Sequence, residues 1–316
     1  MEIPESTGED GASFAIGETA QAAAYYEENG YVVFRDVVNK QTCDSLRAAF
    51  DAEVKVYPGY LYRQTTANPE INKFNERGFV MNPLLNLQDL PRRKFSRLRS
   101  LAMKSFTEEP TYSIVSGLLR QPGKLVQSMY FEGNSETWAH QDTYYLDSEA
   151  IGMMVAAWFA LEDIDAGAGR FYVVPKSHKI DLKKNGGDFS IAFNHDRYKT
   201  LIRDLLTNER LEFRAPCLRK GDALLWNAKT IHGSLKTTKP EFSRSSLTAH
   251  YIPESHRFLQ FQSRIKKLKI IKENRMLVHS PKNLERPGNA AILKLETSFP
   301  KSFQLIKKTA IKFVTR

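Results

Sequence analysis

SRSSLTAHYI, residues 243–252, reads as a β-strand with one polar and one apolar side. Side chains alternate across a strand, so Arg244, Ser246, Thr248 and His250 share one face, and Ser245, Leu247, Ala249 and Tyr251 the other. A row of four polar groups headed by an arginine does not belong in a packed apolar core. Inside a sandwich or barrel such a face lines a cavity, and the guanidinium there needs an anionic partner, because an unpaired buried charge is costly. A carboxylate bound through two parallel hydrogen bonds would satisfy it.

Similar strands surround this one. KLVQSMYF (124–131), WAHQD (138–142), IGMMVAAWFAL (151–161), RFYVVP (170–175), RLEFRAP (210–216), ALLWNA (223–228) and SSLTAHYIP (245–253) are short apolar runs separated by Gly, Pro and Asp. That density predicts a sandwich or barrel over 124–255, with one helix, HDRYKTLIRDLLTNER (195–210), inserted between strands. Residues 18–123 read as helical support. A helix through ETAQAAAYYEENG (18–30) closes at Gly30, YVVFRDVV (31–38) is a strand, and Asn39 or Thr42 caps a helix through CDSLRAAFDAEV (43–54). A turn-rich aromatic loop (57–74) follows, then a helical pattern over 90–119 with Phe95, Leu98, Ala102 and Phe106 in phase, broken near Pro110. The polar first 17 residues are expected to be disordered.

Within WAHQDTYYLD (138–147), His140 and Asp142 stand two apart and would share a strand face. A His-x-Asp triplet alone is commonplace. Downstream, His232 ends the stretch ALLWNAKTIHGS (223–234), which follows the Gly221-Asp222 turn. Two imidazoles and one carboxylate make the facial triad that holds Fe(II) while leaving positions open for substrate and O2.

His140-Gln141-Asp142, His232-Gly233-Ser234 and Arg244 together resemble the phytanoyl-CoA dioxygenase family of Fe(II)- and 2-oxoglutarate-dependent oxygenases. YYEENGYVVFRDVV, VAAWFALEDIDAGAGRFYVVPKSHK and KGDALLWNAKTIHGS extend the similarity over roughly residues 20–253. The resemblance implies a mainly β fold with flanking helices, a double-stranded β-helix or jelly roll. It implies iron held by His140, Asp142 and His232, and 2-oxoglutarate paired with Arg244 in a pocket lined by Gln141, Trp158, Ser234 and Met129. Trp158 also shares a strand face with the small residues Ala156 and Ala160, which leaves room beside its ring. Iron halogenases of the superfamily replace the carboxylate ligand with a small residue, so Asp142 favours hydroxylation. Trp138, Tyr144 and Tyr145 are candidate substrate contacts, although aromatic residues on strands are more often core. His250 is equally open to a pocket role or to a satisfied inner position. His195, His256 and His279 are expected to be solvated.

With 316 residues, 41% hydrophobic and 26% charged, the composition is that of a soluble globular protein. No signal-peptide pattern or membrane-spanning run is present, which predicts a cytoplasmic protein. Cys43 and Cys217 are too few for a disulfide framework and are expected to be reduced structural thiols. The net charge of +10 is unevenly placed: residues 257–316 hold 15 Lys and Arg against 3 Glu, a net +12, and the rest is near neutral. In RFLQFQSRIKKLKIIKENRML (257–277), Phe258, Phe261, Ile265 and Leu268 recur at helical spacing among basic residues, and KSFQLIKKTAIKF (301–313) repeats the mixture. Residues 256–316 are therefore expected to form a basic helical extension. Its apolar stripe would lie on an anionic membrane, at the inner face of the cell, or pack on the barrel. Nucleic acid is disfavoured, since no reading motif accompanies the charge. A membrane-facing tail would suit an anionic lipid or glycolipid substrate, such as the Kdo sugar of lipopolysaccharide. A soluble secondary metabolite and an acyl-CoA are the alternatives, and a non-catalytic metal-binding barrel or a nucleic-acid-binding protein are rivals of another class.

Overall fold

A computed structural model describes residues 7–8, 10–182, 194–209, 211–262, 264–303 and 305–306. Strand β1 (Ser13–Phe14) pairs with β2 (Tyr31–Phe34), so order begins before residue 18. Helix α1 (Thr19–Asn29) between them ends at Gly30, whose left-handed backbone lets its N–H reach the Tyr26 carbonyl. Helix α2 (Lys40–Phe50) is capped by Asn39, whose side chain accepts from Gln41 N–H. The aromatic loop holds a small hairpin, β3 (Leu61–Tyr62) with β4 (Pro69–Glu70), and leads to β5 (Leu84–Leu85). Helices α3 (Ser96–Thr107) and α4 (Thr111–Leu119) flank the break at Pro110.

The β region comprises β6 (Gly123–Phe131), β7 (Leu146–Ser148), β8 (Val155–Ala160), β9 (Phe171–Val173), helix α5 (His195–Asn208), β10 (Ala223–Asn227), β11 (His232–Ser234) and β12 (Ser246–Pro253). The main sheet carries strands in the order β1-β2-β10-β8-β12-β6, and β5 also joins β6. Alternation along β12 decides what each side meets. Leu247, Ala249 and Tyr251 join an apolar cluster with Leu46 and Phe50 of α2, Leu98, Ala102 and Phe106 of α3, and Ile114 and Val115 of α4. Ser246, Thr248 and His250 face the opposite way, toward the small β11–β9 sheet. Trp158, Trp226 and Val173 form part of a second cluster in that interior. Gly221 makes the turn into β10: its φ is +98°, and a Cβ there would fall 2.4 Å from the Val38 carbonyl oxygen.

Three expectations fail here. WAHQD is not a strand, because only His140 makes a bridge and a 3-10 turn begins at Asp142. RLEFRAP contributes only isolated bridges at Arg214. Most significantly, residues 257–277 are not a helix. They form β13 (Phe258–Gln260), β14 (Arg264–Lys266), β15 (Ile270–Glu273) and the start of β16 (Met276–His279). β13 pairs with β7 and β14 in a three-stranded sheet, and β16 runs parallel to β6, extending the main sheet to β15. Only α6 (Pro287–Ser298) and the helical turn from Lys301 fit the expected extension, and residues 307–316 lie outside the described residues. Among the described residues no helix is long and apolar enough to cross a membrane. Cys43 is buried, whereas Cys217 is exposed, with its sulfur 2.7 Å from Arg170 Nη1.

Candidate metal centre and its cavity

His140 and His232 are joined backbone to backbone. His140 N–H donates to the His232 carbonyl at 3.0 Å and His232 N–H returns the bond at 2.9 Å, so their side chains leave the same side of the pair. The ring centroids are 4.3 Å apart. Asp142, at the start of its 3-10 turn, places Oδ1 3.6 Å from His140 Nε2 and 3.5 Å from His232 Nε2. One potential ligand atom from each of the three residues falls within a 4.8 Å cluster.

The remaining atoms of these groups are engaged. His140 Nδ1 lies 2.8 Å from the Trp138 carbonyl and His232 Nδ1 2.9 Å from the Thr230 carbonyl. A carbonyl only accepts, so each Nδ1 carries the proton and each Nε2 turns a lone pair to the centre. Trp226 Nε1–H donates to Asp142 Oδ2 at 2.8 Å, leaving Oδ1 toward the imidazoles. Burial, followed by the neighbouring His232, pushes the His140 imidazole below its usual range and favours the neutral, ligating form. Burial opposes ionisation of Asp142, but the His232 and His250 rings and the contacts with His140 and His232 hold its carboxyl well below the ordinary range. The donor set fits a divalent first-row metal such as Fe(II).

The cluster opens into a cavity of about 470 Å³. Arg244 stands in its wall, 2% exposed, with its guanidinium 6.0 Å over the Trp158 ring. One Nη donates to the Gly169 carbonyl at 2.8 Å, and Nε has no partner. Burial lowers the guanidinium to about 10, so it remains charged at neutral pH. An anion with two oxygens fits this unmet charge and donor.

Of the residues read from the sequence, His140, Asp142, His232, Arg244, Trp158, Met129, Trp138 and Tyr145 share this cavity. Gln141, Ser234 and Tyr144 are not in its wall. Gln141, whose own backbone is extended (φ −109°, ψ 136°), turns away from its two inward neighbours and donates to the Lys229 carbonyl at 2.5 Å. Ser234 Oγ accepts from Thr137 N–H at 2.7 Å. Tyr144 stacks on Tyr198 at 3.4 Å between ring centroids.

A family model described as phytanoyl-CoA dioxygenase (PhyH) matches residues 26–245. The chain belongs to that family. Peroxisomal phytanoyl-CoA dioxygenase of Mus musculus is 24% identical over 240 residues, which cover 74% of this chain and 68% of that protein. The Homo sapiens protein is 23% identical over 248 residues, with the same coverage. Among solved structures, the non-heme alpha ketoglutarate dependent carbocyclase SnoK from nogalamycin biosynthesis matches with a TM-score of 0.57 at 18% identity, over 78% of this chain and 89% of SnoK. EctD from S. alaskensis with 2-oxoglutarate and 5-hydroxyectoine gives 0.56 at 15% identity, over 85% and 90%. These structural likenesses speak for the fold, a cupin-type jelly roll with flanking helices. Family membership and the His-Asp-His cluster make the chain an Fe(II)- and 2-oxoglutarate-dependent oxygenase that uses O2.

Several residues of this family member's cavity escape a reading of the sequence alone. Trp226 belongs to a recognisable strand, but its bond to Asp142 depends on how β10 sits beside a distant turn. Gln127 was within reach, since it shares a strand face with Met129. His195 is exposed, as expected, yet it also borders the cavity, with Nε2 2.8 Å from Tyr145 Oη. His279, also expected in solvent, is 2% exposed.

Proposed function

We propose that this oxygenase hydroxylates an unactivated C–H bond of a small organic substrate. The observation that carries the reading is the shared cavity: three convergent ligand atoms stand in one wall and a buried, incompletely paired Arg244 in another. In this reading His140, Asp142 and His232 hold Fe(II). Arg244 pairs with the far carboxylate of 2-oxoglutarate, while Trp158 and Met129 bound the space it fills. Bound iron and co-substrate supply the oxidising chemistry: O2 and 2-oxoglutarate go to succinate, CO2 and one oxygen atom inserted into the C–H bond.

The chain's own residues supply the geometry. The Trp138 and Thr230 carbonyls fix the imidazole tautomers, and the Trp226 indole fixes which Asp142 oxygen faces inward. Phe171, 4.8 Å from Trp226 and 5.3 Å from His232 between centroids, adds an apolar face to the cavity wall beside the ligands. Asp142 occupies the place that a halogenase leaves to halide, which supports hydroxylation. The basic helix on which an anionic lipid substrate rested is a pair of strand segments in each sheet, so the proposal is for a soluble molecule. Anaerobic addition of Fe(II) and 2-oxoglutarate tests the reading: a metal-to-ligand charge-transfer band is expected, and its absence from the wild type would sink it. Asp142→Ala is expected to abolish succinate formation.

A further inference from the structure

Arg244 answers to the co-substrate, yet the other end of the same strand face carries buried polar groups whose hydrogen bonds are unmet. His250 is 3% exposed, and neither ring nitrogen has a hydrogen-bond partner among the described residues. Leaving a buried donor or acceptor unmet costs about 1–3 kcal/mol, so such a group in a cavity wall marks a ligand contact. Across the β12–β6 ladder His250 stands opposite Gln127, and both line the cavity. Trp138 and Tyr145 border the same end, their rings 5.5 and 5.9 Å from that of His140.

We propose that His250 and Gln127 bind an uncharged oxygen, a hydroxyl or carbonyl, on the molecule being oxidised, and that Trp138 and Tyr145 hold its ring or other flat apolar part. The inference rests on the oxygenase reading and adds the substrate class. His250 stands six positions along the strand from Arg244, about 20 Å, so it does not share the far carboxylate that Arg244 binds. His250 lies instead beside the metal ligands, with Nε2 3.4 Å from Asp142 Oδ2. That is where a substrate C–H must be presented. Charge narrows the class. Among the described lining residues Arg244 is the sole Lys or Arg, and it stands at the far end of the strand from His250. Lys199 Nζ lies 5.3 Å from the Trp138 ring centroid but outside the cavity wall; within the wall a phosphate or a coenzyme A group would meet no cation beside His250, whereas a neutral oxygen-rich ring compound would find donors, acceptors and aromatic faces.

The test uses the full chain with Fe(II) and 2-oxoglutarate, reading succinate release above the substrate-free rate. The probes are 2-phenylethanol and 4-nitrophenyl β-D-glucopyranoside as neutral compounds, with octanoyl-CoA and glucose 6-phosphate as anionic ones. Neutral probes are expected to stimulate. His250→Ala and Gln127→Leu are each expected to raise the half-stimulating concentration about tenfold, with His250→Gln recovering part of the loss. Stimulation by octanoyl-CoA or glucose 6-phosphate alone, a flat response to both neutral probes, or stimulation indifferent to both variants overturns the proposal. The charge-transfer band is recorded in parallel. Its absence in the wild type would remove the oxygenase reading itself, while a normal band with any of those three outcomes removes only the substrate class.

Discussion

Asp142 does different things with its two oxygens, and the difference comes from one indole. Oδ2 accepts from Trp226 Nε1, and Oδ1 is left within 3.6 Å of both imidazole Nε2 atoms. Trp226→Phe keeps the ring and removes the donor, which frees the carboxylate to rotate. Fe(II) or Mn(II) affinity, titrated anaerobically by calorimetry, is expected to fall roughly 10- to 100-fold; unchanged affinity would show that the turn at Asp142 alone sets the geometry. Arg244→Lys replaces a planar fork with a point charge. The apparent KM for 2-oxoglutarate is expected to rise about tenfold or more, with little change in metal affinity. The ligands themselves were legible because few residue types bind iron and because His140, Asp142, His232 and Arg244 form a set. Trp226 was not legible, since an aromatic residue on a strand carries no mark of what its N–H will meet. Gln141 shows a different error: resemblance put it in the pocket, but strand alternation at 140–142 already pointed it the other way.

At the scale of elements, the C-terminal strands show why spacing misleads. Phe258, Phe261, Ile265 and Leu268 fit a helical stripe, yet Phe261 and Ile265 are exposed while Phe258 is buried. Phe261 and Gln262 between β13 and β14, and Asn274 between β15 and β16, take left-handed backbone, so tight turns interrupt what reads as one period. Asn274 was the available signal. These strands also bury His279, which accepts from Lys269 N–H at Nδ1 (3.0 Å). Burial, and then Lys266, pushes its imidazole down to about 4. A histidine depressed in the folded state stabilises fully above its unfolded value near 6.5, and that contribution is lost as pH falls toward 4. Asp89, raised by burial to about 6, works in the opposite sense, so the comparison needs a variant. His279→Gln is expected to unfold more easily than wild type at pH 7. The gap measured in urea should shrink by up to about 3 kcal/mol at pH 4; a pH-independent gap would assign the loss to packing alone.

For the whole molecule, the question is what holds a segment of net charge +12 against a near-neutral body. The segment's own cations contribute little: Arg257–Glu149 at 2.6 Å and Arg275–Glu109 at 3.2 Å join tail to body, but their arginines are 64% and 60% exposed, and exposed pairs give about 0–1 kcal/mol each. The buried pair is made by an acid of the segment, Glu273, 2.6 Å from Arg99 of α3, the side chains 14% and 5% exposed. Strand pairing does more: β13 completes the edge of β7, and β16 lies along β6, the strand that carries Gln127 and Met129. Phe258 adds its ring to an apolar cluster with Val126, Met154 and Ile252, so the segment closes the jelly roll from behind the cavity. A chain ending at residue 256 would leave two sheet edges bare, one of them along β6, inviting edge-to-edge association. Such a chain is expected to aggregate or to lose cooperative thermal unfolding, and to lose the charge-transfer band with Fe(II) and 2-oxoglutarate. The full-length protein in 0.5 M NaCl should keep its Tm within about 3 °C, because screening removes only exposed pairs. If the shortened chain instead stayed monomeric and gave the band, the basic segment would be a detachable appendage, and its charge would need a partner outside this fold.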